Sequence, residues 1–571
     1  MSVQDSGSNT QNAGINGKGN ASGSTRRKFT KAERSWITYD WANSVYATII
    51  MAAVFPIYFA NVTKAVGVSG DVLWGYGTSL ATFVIAISAP FLGAIGDFKG
   101  MKKRLFVAFL LLALVFTTAM ALTDNYRMML AGYILSYIGF AGSLLFYDSF
   151  LTDVTEPDHM DRVSAHGYAM GYLGGSTIPF LISIALILFG SKIGISGTMA
   201  VKISCVLASA WWAVFSIPML KNVHQKHYVD MPPSALAKNA WSNLVRTAAD
   251  IFQNKAIFVF ALAYFFYIDG VNTVIHMATA YGSTLGLGST GMILALLVTQ
   301  IVAVPCSILF GKLAERVGSI RMITIAIAVY FVICTVGFYM GFSMEPAQNA
   351  YTRQFSQQLI QASDVMKDAT IGDAARDTFD TQMNSLMISG KGVLSSETRV
   401  ADFQTLVDEQ IAQLQTRYPA ETDRAVLKTG LTEIGRKMSA FLSDAGASSA
   451  YDQALKRSSI LFWILAVMVG TVQGGIQALS RSFFGKLVPP EKSNEYFGFF
   501  DIFGKFAAVL GPALYSSISA LTGRPSIGIL SLMILFAAGL LIMFVGRRHL
   551  AVAEAHGRRA ADASRERNAR S

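Results

Sequence analysis

The sequence predicts an all-α polytopic membrane protein: twelve transmembrane helices in two six-helix halves, with a small helical exterior insert between helices 9 and 10. Three observations carry this prediction. Of 571 residues, 52% are hydrophobic and only 15% charged, with a mean hydropathy of +0.43, which is too oily for a soluble chain of this size. Runs of about 20 apolar residues, long enough to cross a bilayer, recur twelve times along the chain. Polar motifs from the first six runs also return in the last six.

The first 35 residues are rich in Ser, Gly and Asn and lack the apolar stretch of a signal peptide, so a disordered cytoplasmic tail is expected there. The first half then occupies 36–220, with apolar runs at roughly 37–61, 73–96, 104–123, 127–150, 165–190 and 199–219. A polar linker at 221–255 follows. The second half resumes at 256–343 with runs 256–280, 290–313 and 321–343, and closes at 458–547 with runs 458–480, 496–520 and 526–546. A basic tail, 548–571, ends the chain.

Between spans 9 and 10, residues 344–457 are polar and mixed in charge. Within them "VADFQTLVDEQIAQLQTRY" sets Phe403, Leu406, Ile411 and Leu414 at helical spacing, which predicts a helical domain.

Charge fixes the expected orientation. "RRKFTKAER", "FKGMKKR", "KNVHQKHYVD", "GKLAERVGSIR", "RSFFGKLVPPEK" and "GRRHL" fall on one side of the twelve spans, while "TDNYR" and "GSTLGLGSTG" fall on the other. By the positive-inside rule the basic side is cytoplasmic, and twelve spans return both termini to it. This distribution also accounts for the net charge of +11 without invoking nucleic acid. The insert lacks an N-x-[ST] acceptor, although Asn61-Val-Thr63 matches one, and a bacterial cytoplasmic membrane is the expected host. Cys205, Cys306 and Cys334 lie apart in apolar runs, so neither a disulfide framework nor a zinc site is expected. With no Walker A loop, G-x-S-x-G elbow or metal-ligand cluster in the sequence, neither ATP-driven transport nor an enzyme is expected, and no cofactor is implied.

The internal repeat is the most informative signal. Span 1 carries Asp40-Trp-Ala-Asn43-Ser44-Val45 and span 7 carries Asp269-Gly-Val-Asn272-Thr273-Val274. Span 4 ends in Asp148-Ser-Phe with Pro157 nine positions after the acid; span 10 ends in Arg481-Ser-Phe with Pro490 nine after the base. The link after span 2 reads Gly93-Ala-Ile-Gly-Asp97, and the link after span 8 reads Gly311-Lys-Leu-Ala-Glu315-Arg316. The offsets are about 229, 333 and 218 residues, and the larger one exceeds the others by about the length of the insert. Two related halves with a later addition explain that jump.

Two repeated halves with acid-glycine-basic loops resemble the major facilitator superfamily. Within it, "YDWANSVYATIIMAAVFPIYF", "FYDSFLTDV" and "VQGGIQALSRSFFGKLVPPEKSNEYFGFFDIFGKFAAVLGP" are similar to the UMF1 family, related to vacuolar Atg22-like amino-acid effluxers. The resemblance covers nearly all of the membrane part but neither the insert nor the N-terminal tail. Phe98 stands where the superfamily pattern usually has a basic residue. The resemblance implies alternating access by two halves, export of a small solute such as an amino acid, and a site near the bilayer midplane lined by spans 1, 4, 7 and 10.

Polar residues on those spans are the candidates for substrate or proton binding. Asp269, Asn272 and His276 sit at i, i+3 and i+7 of span 7, with Asp269 about halfway through the run, where a buried carboxyl suits a proton site. Asp40 and Asn43 share a face of span 1 nearer the cytoplasmic end, serving either the cavity or helix packing. Gln473, Gln477 and Arg481 are spaced i, i+4, i+8 on span 10. Arg481 suits a substrate carboxylate through its planar fork, or a gate with Asp148, and the gate is favoured because both lie near the membrane surface. Asp97, Glu315 and Arg316 are assigned to gating, the two acids by bonding to neighbouring helix ends. Asp501 and Lys505, at i and i+4 on span 11, are assigned to a structural ion pair. Gly167, Gly171 and Gly175 predict a close helix contact. A receptor or assembly protein whose exterior insert binds a ligand is the alternative from another class; two matching buried acids argue for a transporter. The expected partners are the solute, protons and the bilayer.

Overall fold

The computed structural model describes residues 27–65, 70–230, 245–367, 369–396, 398–417 and 421–555. Most of the expected N-terminal tail, part of the linker and most of the C-terminal tail therefore lie outside the described residues.

Twelve helices are long and apolar enough to cross a membrane: span 1 Lys31–Thr63, span 2 Leu73–Gly96, span 3 Met101–Ala121, span 4 Tyr126–Val154, span 5 Met160–Ile193, span 6 Gly197–Asn222, span 7 Lys255–Thr284, span 8 Gly291–Val317, span 9 Ser319–Met366, span 10 Ala445–Leu487, span 11 Pro490–Thr522 and span 12 Pro525–Val545. Helices satisfy their own backbone groups, which is what a lipid environment demands of a spanning segment. Many large apolar side chains, such as Phe83, Leu111, Ile301 and Leu541, point outward and are exposed in the absence of lipid.

Span 1 starts at a capping box: the Thr30 side chain accepts from the Glu33 amide, and the Glu33 carboxylate accepts from the Thr30 amide at 2.7 Å. Its centre, Tyr46–Ala53, and the centre of span 5, Gly171–Thr177, are wound as wide π-helical turns that lie against each other. Such turns re-aim side chains and occur often at functional sites. The glycine stripe of span 5 is the close contact its spacing predicts: side chains built on Gly171 and Gly175 would meet Ser44 at 2.6 and 2.5 Å.

Between the halves, span 2 packs on span 11 and span 5 on span 8, with spans 4 and 5 also touching spans 11 and 10. Exchanging 2 with 8 and 5 with 11 turns one principal contact into the other, as the sequence repeat requires. The links after spans 2 and 8 both turn at a glycine with positive φ, Gly100 at 75° and Gly318 at 106°. A Cβ is poorly tolerated there, which explains why both motifs carry glycine.

The described residues of the insert are mostly helical, and its boundaries differ from those drawn by polarity. Span 9 continues as helix through residue 343 to Ser363, and span 10 begins at Ala445, so both helices project past the apolar zone. Hydropathy changes there, but nothing in the sequence stops the helix; even Pro346 is accommodated within it. Three further helices, α1 Asp373–Val393, α2 Arg399–Arg417 and α3 Glu421–Ser443, pack around these projections. Phe403 and Leu414 are buried with Phe355, Leu431 and Met438, while Leu406 and Ile411 flank them.

Candidate functional site

Arg481, near the end of span 10, is the centre of a buried network that joins the halves. Its Nη1 donates to Asp148 Oδ1 at 3.0 Å, its Nη2 to Asp40 Oδ2 at 3.2 Å, and its Nε to Ser164 Oγ at 2.9 Å. The guanidinium also lies over the rings of Trp36, Tyr147 and Tyr168, at 4.6, 5.4 and 4.5 Å from their centroids. One cation facing two acids, a hydroxyl and three rings needs a planar fork with several donors, which lysine does not supply. Gly167 leaves the space for it: a Cβ there would stand 2.3 Å from Asp40 Oδ2.

A second layer lies nearer the termini. Asp97 accepts from the Asn494 amide at 2.9 Å, the Asn494 side chain at 2.8 Å and the Glu495 amide at 3.0 Å, so the first half caps the N-terminus of span 11. Burial pushes the Asp97 carboxyl up to about 7, against the opposing pull of Lys102 and of these donors. Lys102 bonds Asp153 at 2.7 Å and Ser493 at 3.0 Å, and Ser149 bonds Asn494. Asp161 at the head of span 5 bonds Lys486 at 2.6 Å, Ser319 at 2.8 Å and Ser482.

The linker between the halves is fastened over this layer. The Val229 amide donates to Asp97 O at 2.8 Å, Gln225 Oε1 accepts from the Gly100 amide at 2.9 Å, and the amides of Lys226 and His227 donate to Asp153 Oδ1 at 2.8 and 2.9 Å.

Among the described residues, the hydrogen bonds between the halves reach furthest toward the insert at Tyr172 and Gln477, where the Tyr172 Oη donates to Gln477 Oε1 at 3.2 Å. At 1.5 Å per residue, Gln477 is about 15 Å along span 10 from its terminus-side end. The halves are therefore tied at the end that carries the termini.

The other candidates fall into different settings. Asp269 is buried, and its Oδ1 accepts from the Gly511 amide at 2.9 Å, just before Pro512 interrupts the ladder of span 11. Its Oδ2 makes no hydrogen bond among the described residues. Asn272 is half-buried and His276 exposed, so the three share a helix face but not a common environment. The same helix side passes from packed contact with span 11 at Asp269 to an exposed position at His276 within two turns. Asp40 and Asn43 also part: Asp40 joins Arg481, while Asn43 is buried with an unpartnered Nδ2. Gln473 lines a mostly apolar cavity of about 90 Å³ among spans 7 to 10 and span 12, with Tyr281, Gln300, Cys334 and Phe462.

Glu315 and Arg316 lie at the rim of the second layer. Both are exposed, and the Glu315 carboxylate stands 3.9 Å from Nδ1 of His159, the residue at the N-terminal end of the span 5 helix, with no backbone amide bonded to it among the described residues. Ser164, Trp36, Tyr168 and Asp161 were missed by the sequence reading because the repeat singles out charged positions shared by the halves, and these residues have no matching partner in it.

The sequence profile of the family described as "Vacuole effluxer Atg22 like" matches residues 29–351 and 456–556. The chain belongs to that family. The Atg22-like profile passes over most of the insert. An MFS-type transporter from Bacillus subtilis (strain 168), named YxiO, is 36% identical over 524 residues, covering 90% of this chain and 95% of its own. Autophagy-related protein 22 of Cryptococcus neoformans is 27% identical over 164 residues, 28% of this chain and 29% of its own. Among solved structures, a bacterial homologue of ferroportin in an outward-facing state aligns with a TM-score of 0.50 at 10% identity, covering 91% of this chain and 98% of its own. An E. coli fucose:proton symporter aligns with a TM-score of 0.50 at 11% identity, covering 91% and 97%. The fold is that of the major facilitator superfamily, and this Atg22-like chain is an integral membrane transporter of that type.

Proposed function

We propose that the protein exports a small solute such as an amino acid by alternating access, with both termini in the cytoplasm of a bacterial cell, and that Arg481, Asp40 and Asp148 form the gate on that side. The observation that carries this reading is the location of the inter-half bonds at the terminus end, with one buried arginine shared by acids of spans 1 and 4. Such a tie holds one state and must break for the other. The basic links favour a cytoplasmic placement of this end.

Proton coupling runs through Asp269 in this reading. A buried carboxyl with one oxygen held by a backbone amide and the other unpartnered has a place for a proton. The insert is then accessory to transport.

The test is efflux of a labelled amino-acid panel from proteoliposomes, with and without a pH gradient, in wild type and Asp269→Asn. Gradient-driven efflux in wild type that loses its gradient dependence in the variant supports the reading. Efflux of no amino acid by folded protein moves the substrate to another chemical class, and an unchanged gradient response in the variant removes Asp269 from the coupling.

A further inference from the structure

Span 11 carries a stripe that sequence spacing alone treats as a packing detail. Asn494 is bonded to Asp97 and Ser149 of the first half. A side chain built on Gly498, one turn further, would stand 2.7 Å from the Ala89 carbonyl of span 2. Asn494, Gly498, Asp501 and Lys505 follow at i, i+4, i+7 and i+11, one face of a helix. The first two residues of the stripe touch the opposite half. The next two continue along that face toward the insert side, Asp501 about 12 Å and Lys505 about 18 Å along the helix from Ser493.

There Asp501 and Lys505 pair with each other, with side chains 27% and 13% exposed. Tyr264 of span 7 frames them: its ring stacks on Phe500 at 4.1 Å, and its hydroxyl lies 3.3 Å from the Cβ position of Gly504. Asp148, with 32% of its side chain exposed and only one oxygen held by Arg481, lies within electrostatic reach of Asp501, and Tyr264 within reach of both. Arg481 already donates to Asp148, Asp40 and both the hydroxyl and the carbonyl of Ser164, and its side chain is 5% exposed. Lys505 is thus a partly buried cation on the face of span 11 that Asn494 and Gly498 turn toward the first half, and its counter-ion comes from its own helix.

We infer that Lys505 is the anion anchor of the transport cavity, that Asp501 is its resting counter-ion, and that the solute is one bearing a carboxylate, with Asp148 available to a positively charged group at the other end. The carboxylate displaces Asp501 from Lys505, so an empty site does not leave a buried lysine unpaired. This inference rests on the transport reading above and assigns its solute contacts to spans 4 and 11 instead of to Asn272 or His276.

Two measurements on the full-length protein test it. In K505C, with the unaltered chain as background, membrane-impermeant thiosulfonates of opposite charge are applied from the insert side. Modification is expected, several-fold faster for the cationic reagent, with the preference reduced in the D501N/K505C double variant. No modification of folded K505C places the residue outside the cavity and overturns the inference. In proteoliposomes, KM for a transported amino acid is expected to rise at least tenfold in Lys505→Met and to return to within about threefold in Lys505→Arg, and amino-acid amides are expected to compete poorly. An unchanged KM in Lys505→Met overturns the inference. If wild type carries no amino acid, the substrate reading fails instead, and acetate, lactate and succinate are then tested for thermal stabilisation. Stabilisation of wild type but not of Lys505→Met upholds the anchor, and stabilisation of neither or of both equally overturns it.

Discussion

The motif Asp-x-x-Asn-[Ser/Thr]-Val occurs once in each half, yet its two acids do different work. Asp40 reaches across the halves to Arg481 and is backed by Gly167. Asp269, at the matching place in span 7, turns to a backbone amide of its own half and leaves one oxygen unpartnered. The repeat conserves the position of a carboxylate on a helix; the neighbouring helix decides its partner. Where the opposite half offers a guanidinium, the acid becomes a tie between halves. Where a proline interrupts the next helix, the acid takes up the amide beside the break.

The same divergence appears in the links. Asp97 caps span 11 across the interface, whereas Glu315 stays exposed. Repetition of sequence is therefore a guide to placement and a poor guide to function.

Removing the shared cation is the strongest way to break the comparison. Arg481→Ala leaves Asp40 and Asp148 facing each other without compensation, and loss of one member of a buried ion pair costs roughly 3–5 kcal/mol. Transport is expected to be abolished and thermal unfolding to shift clearly downward, with Arg481→Lys intermediate because an ammonium cannot bridge two acids and Ser164. Flux near the wild-type rate in Arg481→Ala would remove the gate.

On the other acid the expected effect is smaller. Asp269→Leu strands the Gly511 amide, at about 1–3 kcal/mol for an unsatisfied buried donor, whereas Asp269→Asn retains an acceptor and is expected to unfold close to wild type. Equal destabilisation by both would show that the amide bond contributes nothing measurable.

Next comes Asp97, whose carboxyl is raised to about 7 in the sealed state by burial. A state that exposes it returns it toward the ordinary value near 4. The sealed state then binds more protons, so its stability relative to the open state is greatest below about pH 4 and declines as pH rises through about 7. Labelling of a cysteine placed at Ser493 should accelerate between pH 5 and 8, and Asp97→Asn should flatten that profile. Faster labelling toward acid pH would reverse the assignment. Glu315→Gln is expected to have the smallest effect, less than twofold on flux, and a loss comparable to that of Asp97→Asn would restore the symmetry of the two links.

Hydropathy and spacing alone determined the twelve spans, the two halves, the helical insert and the positions of the paired acids. These are local properties: a run of about 20 apolar residues must become a helix in lipid, and a helix fixes which side chains share its face. Only the tertiary structure decided that Arg481 meets Asp40, 441 residues earlier in the chain, that Asp269 bonds Gly511, and that Glu315 stands beside His159 at the end of span 5. Those outcomes depend on helices packing at distances set by Gly167 and on the amide that Pro512 lacks within the continuous helix of span 11. Neither property is carried by the periodicity of any one segment.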